Sequence, residues 1–270
     1  MTQHKKEVVY PLLSILFLLG IVLIGINLLG KFYSIRNPSI YHLGNGRDII
    51  LTYQEALIQI QKLPVENNRD YVYRLTHVIN QAIAHYWDDS GIDTFHMRIP
   101  IWDNYILWLS SYIYPHTFLR YEFTDYQRAL ERGIGLCSQE AIIEEEVLEK
   151  NGIHAKIIGL NGHVVTTAYI DGKWIISDPD FDTVIPNSIE EIENDPSIVI
   201  PYYKAIVDPN SLVKMYGTPQ DNKVYESGQE YSHYKGLFEQ AAYTGIWVFP
   251  IALMLPLLVS YGYYRKASNK

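Results

Sequence analysis

Three residues near the middle of this chain carry the side chains of a covalent acyl-transfer site: Cys137, His163 and Asp178. A thiol becomes a useful nucleophile when a base takes its proton and a third group fixes the base. Cys137 is the one cysteine in 270 residues. It therefore has no partner for an intramolecular disulfide and no second thiol for a zinc or iron–sulfur site. The sequence turns helical at Cys137 and runs to Lys150, ahead of Asn151-Gly152. The start of a helix carries partial positive charge and free N–H groups, which favour a thiolate. Singly, each residue has a plainer use: cysteine as a small core residue, histidine as a strand-end polar group, Asp-Pro as a turn.

A helix followed by an antiparallel meander must bring the three together. After Gly152, taken as the left-handed residue that ends the helix, β-type runs cover 155–160, 164–170 and 173–177. Asn161-Gly162 turns the chain ahead of His163, and Asp178-Pro179 closes the last run. Asp171-Gly172 is a favoured two-residue hairpin turn, so Ile170 pairs with Lys173 and Tyr169 with Trp174. Continued outward, this register sets His163 opposite position 180, two residues from Asp178. One ring nitrogen then faces the carboxylate and the other is available to the thiol.

The pattern resembles the transglutaminase-like superfamily, whose site is a papain-like Cys-His-Asp set. Gly135, Cys137 and Ala141 match its cysteine-helix motif, and Gly152-Ile153-His154-Ala155 its step into a strand. Gly162-His163, Asp171-Gly172-Lys173-Trp174 and Asp178-Pro179 match its remaining pieces, so the resemblance covers 126–180. It implies an α+β, transglutaminase-like (papain-like) domain with helices packed on an antiparallel sheet. It also implies Cys137 as nucleophile, His163 as base and acid, and Asp178 as orienter. The substrate would be a peptide or protein with an amide carbonyl, and the acyl-thioester would pass to water or to an amine. The competing expectation is a catalytically silent scaffold of the same fold, serving envelope or surface-polymer assembly. Val165 replaces a common aromatic, and Leu136 and Ser138 flank the cysteine. Glu140 and the run Glu144-Glu145-Glu146 are read as a solvated, acidic helix face that opposes a thiolate.

No phosphate-binding loop, dinucleotide fingerprint, HExxH or EF-hand loop occurs, so neither a cofactor nor a metal is expected. The alternation Asp178, Asp180, Asp182 is interrupted by Pro179 and does not read as a calcium loop. A net charge of -8 argues against a nucleic-acid partner. The 23 tyrosines read as packing and amphipathic surface.

Two charge-free runs, 8–29 and 241–264, bracket this material. The first would span about 33 Å as a helix, enough for a bilayer core. It lacks an A-x-A cleavage pattern and reads as an uncleaved signal-anchor. The second contains Pro250 and Pro256, where a kink is expected, and has Trp247, Tyr261, Tyr263 and Tyr264 towards its ends. Lys5, Lys6, Arg265, Lys266 and Lys270 make both tails basic, which places both termini in the cytoplasm of a two-pass plasma-membrane protein. The expected organisation is a tail at 1–7, a span at 8–29, a linker at 30–50 and an extracytoplasmic domain at 51–235. A second span at 241–264 and a tail at 265–270 complete it. Pro38 and Gly44-Asn45-Gly46 mark the linker. Helices are expected at 52–63, 69–86, 101–114 and 188–194.

Overall fold

A computed structural model describes residues 3–42, 49–86, 91–203 and 207–268, and the side chains of 9–262 within that range. Gly44-Asn45-Gly46, Trp87, the basic side chains of both tails, Tyr263 and Tyr264 lie outside the described residues or side chains. In chain order the elements are α1 (Gln3–Gly30), α2 (Tyr53–Gln59), α3 (Asn68–Ala82), β1 (Ala84–His85), α4 (Tyr105–Ile113), α5 (Pro115–Phe118) and α6 (Tyr126–Arg132). They continue with β2 (Ile134–Gly135), α7 (Cys137–Lys150), β3 (Ala155–Leu160), β4 (His163–Ile170), β5 (Lys173–Asp178) and β6 (Thr183–Ile185). Last come α8 (Ile189–Asn194), α9 (Pro209–Tyr216), β7 (Lys223–Tyr225), α10 (Gly228–Tyr231) and α11 (Lys235–Ser268). The chain divides into two compact units: 36–97 with 121–236, and 1–35 with 98–120 and 237–270.

The first unit is an α+β layer structure. Its sheet is antiparallel in the order β6-β5-β4-β3-β7. Asp171 and Gly172 both have positive φ, 52° and 86°, and the hairpin they make holds Ile170 against Lys173 as far as Thr166 against Ser177. One face of the sheet is covered by α7, which seats Ala141 and Ile142 on Ile157. The next residue, Ile158, points the other way, into a core with Leu160, Ile176 and residues of α8, 196–203 and α9. With both faces covered, β3 is apolar at consecutive positions rather than alternating.

Two expectations change here. The helix predicted over 69–86 ends at Ala82, and Ile83 is extended. Arg36 accounts for the stop: its guanidinium donates to the carbonyls of Ala82 and Leu130, at 3.2 and 2.9 Å, capping α3 and α6 together. Freed of the helix, Ala84 and His85 pair in parallel with Ile134 and Gly135. The acidic run of α7 is not a solvated face: Glu144 is 0% exposed and Glu145 is buried. Because α7 lies between the sheet and α3, its glutamates serve neighbouring elements. Glu145 accepts from Gly228 N–H at the start of α10, and Glu146 from Tyr126 N–H at the start of α6. A carboxylate suits a helix N-terminus electrostatically.

The second unit contains α1 and α11, both long and apolar enough to cross a membrane. α1 begins at Gln3 and α11 at Lys235, each earlier than its charge-free run. α11 continues through Pro250 and Pro256. A proline has no N–H, so Pro250 frees the carbonyl of Ile246. Asn27 of α1 donates its amide to that oxygen at 2.5 Å, and Tyr105 of α4 its hydroxyl at 3.1 Å. Gly20 lets the helices close up: a Cβ there would meet Met254 Cγ at 2.6 Å and Pro250 O at 2.7 Å. The predicted helix at 101–114 is α4, shortened at its start by Asn104, whose Oδ1 accepts from the N–H groups of Ile106 and Leu107. Residues 98–120, inside the expected 51–235 domain, group with the apolar helices.

Candidate active site

Cys137 occupies the first turn of α7, after β2. Gly135 is required there, because a Cβ would meet Gln139 Cβ at 2.5 Å as the first turn folds back over the strand. The turn is clamped from outside. Gln139 accepts from Phe123 N–H at 2.7 Å and donates to Phe123 O at 2.9 Å. The fully buried Arg132 donates to Gln139 Oε1, Tyr121 O and Ile134 O. Buried polar groups satisfied this completely fix a single geometry. Cys137 as a residue is half-buried.

His163 opens β4 directly after the Asn161-Gly162 turn, where Gly162 takes φ 82°. Its Nε2 lies 2.8 Å from Asp178 Oδ2, and the Cys137 thiol is near enough to act on the ring electrostatically. With Nε2 engaged, Nδ1 is the nitrogen available to the sulfur. The structure joins His163 to Asp178 and sets Cys137 near the same ring. Burial would lower the pKa of this imidazole. The Asp178 carboxylate, with the thiol adding to it, outweighs burial and holds His163 well above its ordinary value.

Asp178 ends β5 and is fully buried. The same Oδ2 that meets His163 accepts from Tyr203 Oη at 2.7 Å, and Tyr203 Oη lies 2.6 Å from Tyr216 Oη. Burial and the nearby Asp178 raise the pKa of both phenols, so they stay neutral donors. Since Tyr203 gives its proton to Asp178, Tyr216 donates to Tyr203. Phe181 sets its ring edge against both His163 and Tyr203, at 5.4 Å each. The sequence gives no local sign of these tyrosines: they come from 196–203 and α9, outside the motif core.

The three alternating aspartates diverge. Asp178 serves His163, Asp180 Oδ1 bonds His85 Nδ1 at 2.7 Å, and Asp182 Oδ2 meets the exposed His77 at 3.1 Å. His85, Glu140 and Asp180 are buried, and their donor atoms lie within 4.8 Å of one another. One imidazole and two carboxylates could hold a divalent cation; here His85 and Asp180 bond each other. Asp180 Oδ2 is also 4.0 Å from His163 Nδ1. Beside the thiol, Ser138 Oγ donates to Glu122, and burial with the negative charge of Glu122 raises the pKa of Tyr231.

Comparison of the chain with protein-family models, with curated proteins and with solved structures found no match.

Proposed function

We propose that the unit holding Cys137 is a thiol enzyme acting on amide bonds, of the transglutaminase-like type, tethered to the membrane by α1 and α11. One observation carries this reading: the buried His163 imidazole is bonded to the buried Asp178 carboxylate, with the chain's one thiol near enough to act on the same ring. That is the nucleophile–base–orienter relation of covalent catalysis.

Cys137 gives its proton to His163 and its sulfur attacks the amide carbonyl carbon. The oxyanion that forms is met by N–H groups at the start of α7, which have no acceptor within the helix. As the carbon–nitrogen bond breaks, His163 passes the proton to the departing amine, leaving an acyl-thioester on Cys137. Water, or a second amine, then attacks the thioester. His163 takes the attacker's proton and returns it to the sulfur as the acyl group leaves. Asp178 keeps the ring oriented and stabilises its charged form throughout.

The test is intact-mass analysis of the full chain after exposure to a library of amide-bearing peptides. A covalent acyl adduct on Cys137, absent from Cys137→Ser and slower to form in His163→Ala, is expected. No adduct from any peptide, with Cys137 freely alkylated by iodoacetamide, would favour the silent scaffold. Both termini are placed in the cytoplasm and the 36–97 and 121–236 unit outside. In intact cells, a Val65→Cys, Cys137→Ser protein should then react with a membrane-impermeant thiol reagent, and a tail cysteine should not.

A further inference from the structure

Within the unit of the two apolar helices, α4 is built inside out for water. No residue of Tyr105–Ile113 is charged. The helix buries Leu107 and Ser111, one turn apart, and turns Leu109, Tyr112 and Ile113 outward. Ser111 is 2% exposed, with its hydroxyl donated to the Trp108 carbonyl, whereas Leu109 is 53% and Ile113 59% exposed. A helix facing water ordinarily turns charged or polar residues outward, and this one turns out an apolar stripe.

The depth of α4 is set by its first residue. Tyr105 donates to the Ile246 carbonyl, five residues inside the charge-free run that begins at Ala241. Along a helix that is about 7.5 Å. Just before α4, Asp103 accepts from Tyr243 Oη at 2.6 Å, which ties the segment to α11 at a second level. The outward stripe also has a polar rim. The Arg98 guanidinium lies 4.6 Å over the Tyr112 ring and donates to its hydroxyl at 3.1 Å. An apolar stripe edged by tyrosine and arginine belongs where hydrocarbon meets headgroups.

We propose that α4 lies in the interfacial layer of the bilayer, with its Leu109, Tyr112 and Ile113 stripe against lipid, as a third membrane contact beside the two spans. The proposal rests on the reading of α1 and α11 as spans. Lipid is the occupant because the segment that carries the stripe is bonded to α11 through Tyr105 and Asp103. The depth agrees too: interfacial helices sink their apolar face roughly 5–10 Å into the headgroup–acyl boundary.

The experiment uses the full chain in a Cys137→Ser background, reconstituted in phosphatidylcholine vesicles and carrying one nitroxide at a time. The sites are Leu109→Cys, Ile113→Cys, Leu18→Cys in α1, and Val65→Cys on the exposed surface of the other unit. Collisions with oxygen report lipid, and collisions with a water-soluble nickel chelate report water. Positions 109 and 113 should lose the chelate collisions that 65 shows and gain oxygen collisions, with 18 deeper still. If 18 also meets the chelate, the spans themselves are wrong. If 18 is in lipid but 109 and 113 behave like 65, only the interfacial placement of α4 is overturned. If 109 and 113 collide with neither reagent, protein covers the stripe, and the lipid assignment fails.

Discussion

Asp178 has one oxygen committed twice, to His163 and to Tyr203. Hydrogen bonds to a buried charged group are each worth about 1.5–3 kcal/mol. Tyr203→Phe should therefore lower unfolding free energy by ~2 kcal/mol, read by chemical denaturation in detergent. It should slow acyl-adduct formation less than His163→Ala does, because the ring keeps its carboxylate. The charge pair also has a pH signature. His163 is held above its ordinary value, so its protonated form adds stability that is fully present below the unfolded value of about 6.5. That stability is lost as pH rises through the raised folded value. Asp178→Asn should remove most of this dependence. Cys137 stood out as the one cysteine, and the closeness of His163 and Asp178 was legible because one hairpin carries both. Tyr203 and Tyr216 were not, because 23 tyrosines are indistinguishable until tertiary packing selects two.

The secondary elements divide the same way. The meander and α7 were readable from Asp171-Gly172, Asn161-Gly162 and Gly152, where turn chemistry acts locally. The end of α3 was not, because it depends on Arg36, 46 residues away from Ala82. Nor was the inward face of α7, since a run of glutamates ordinarily points to water. Glu144 accepts from Thr76 Oγ1 of α3 and Ser177 Oγ of β5, at 2.8 and 2.7 Å, joining the nucleophile's helix to the strand of Asp178. Burial raises its pKa to about 7, against the hydrogen bonds that lower it. The folded chain therefore holds a proton that the unfolded chain releases, and stability falls as pH climbs from 4.5 towards about 7. The loss amounts to up to ~3 kcal/mol. Glu144→Gln keeps an acceptor for Thr76 and Ser177. Its melting profile from about pH 4 to about pH 8 should be flatter than the parent's. It should be the more stable protein at the alkaline end. A profile that parallels the parent's would show Glu144 is not the titrating group.

For the chain as a whole, the two apolar runs were plain from composition, whereas the bonds joining their helices were not. Pro250 predicted a freed carbonyl, but nothing in sequence indicated that Asn27, more than two hundred residues earlier, would satisfy it. Asn27→Leu should weaken the α1–α11 pairing by about 0.6–2 kcal/mol, measured by unfolding in mixed micelles, with Tyr105 keeping part of the bond. The grouping of 98–120 with these helices was equally hidden, since it needs contacts far apart in the chain. The most direct test of the central claim uses the fact that the protein carries one thiol. Iodoacetamide labelling of the intact protein then reports Cys137 alone. The rate at neutral pH should fall about tenfold or more in His163→Ala, by loss of the base that supports the thiolate. Asp178→Asn should fall between that variant and the parent. Equal rates in all three proteins would mean that no thiol–imidazole pair operates, and would contradict the account.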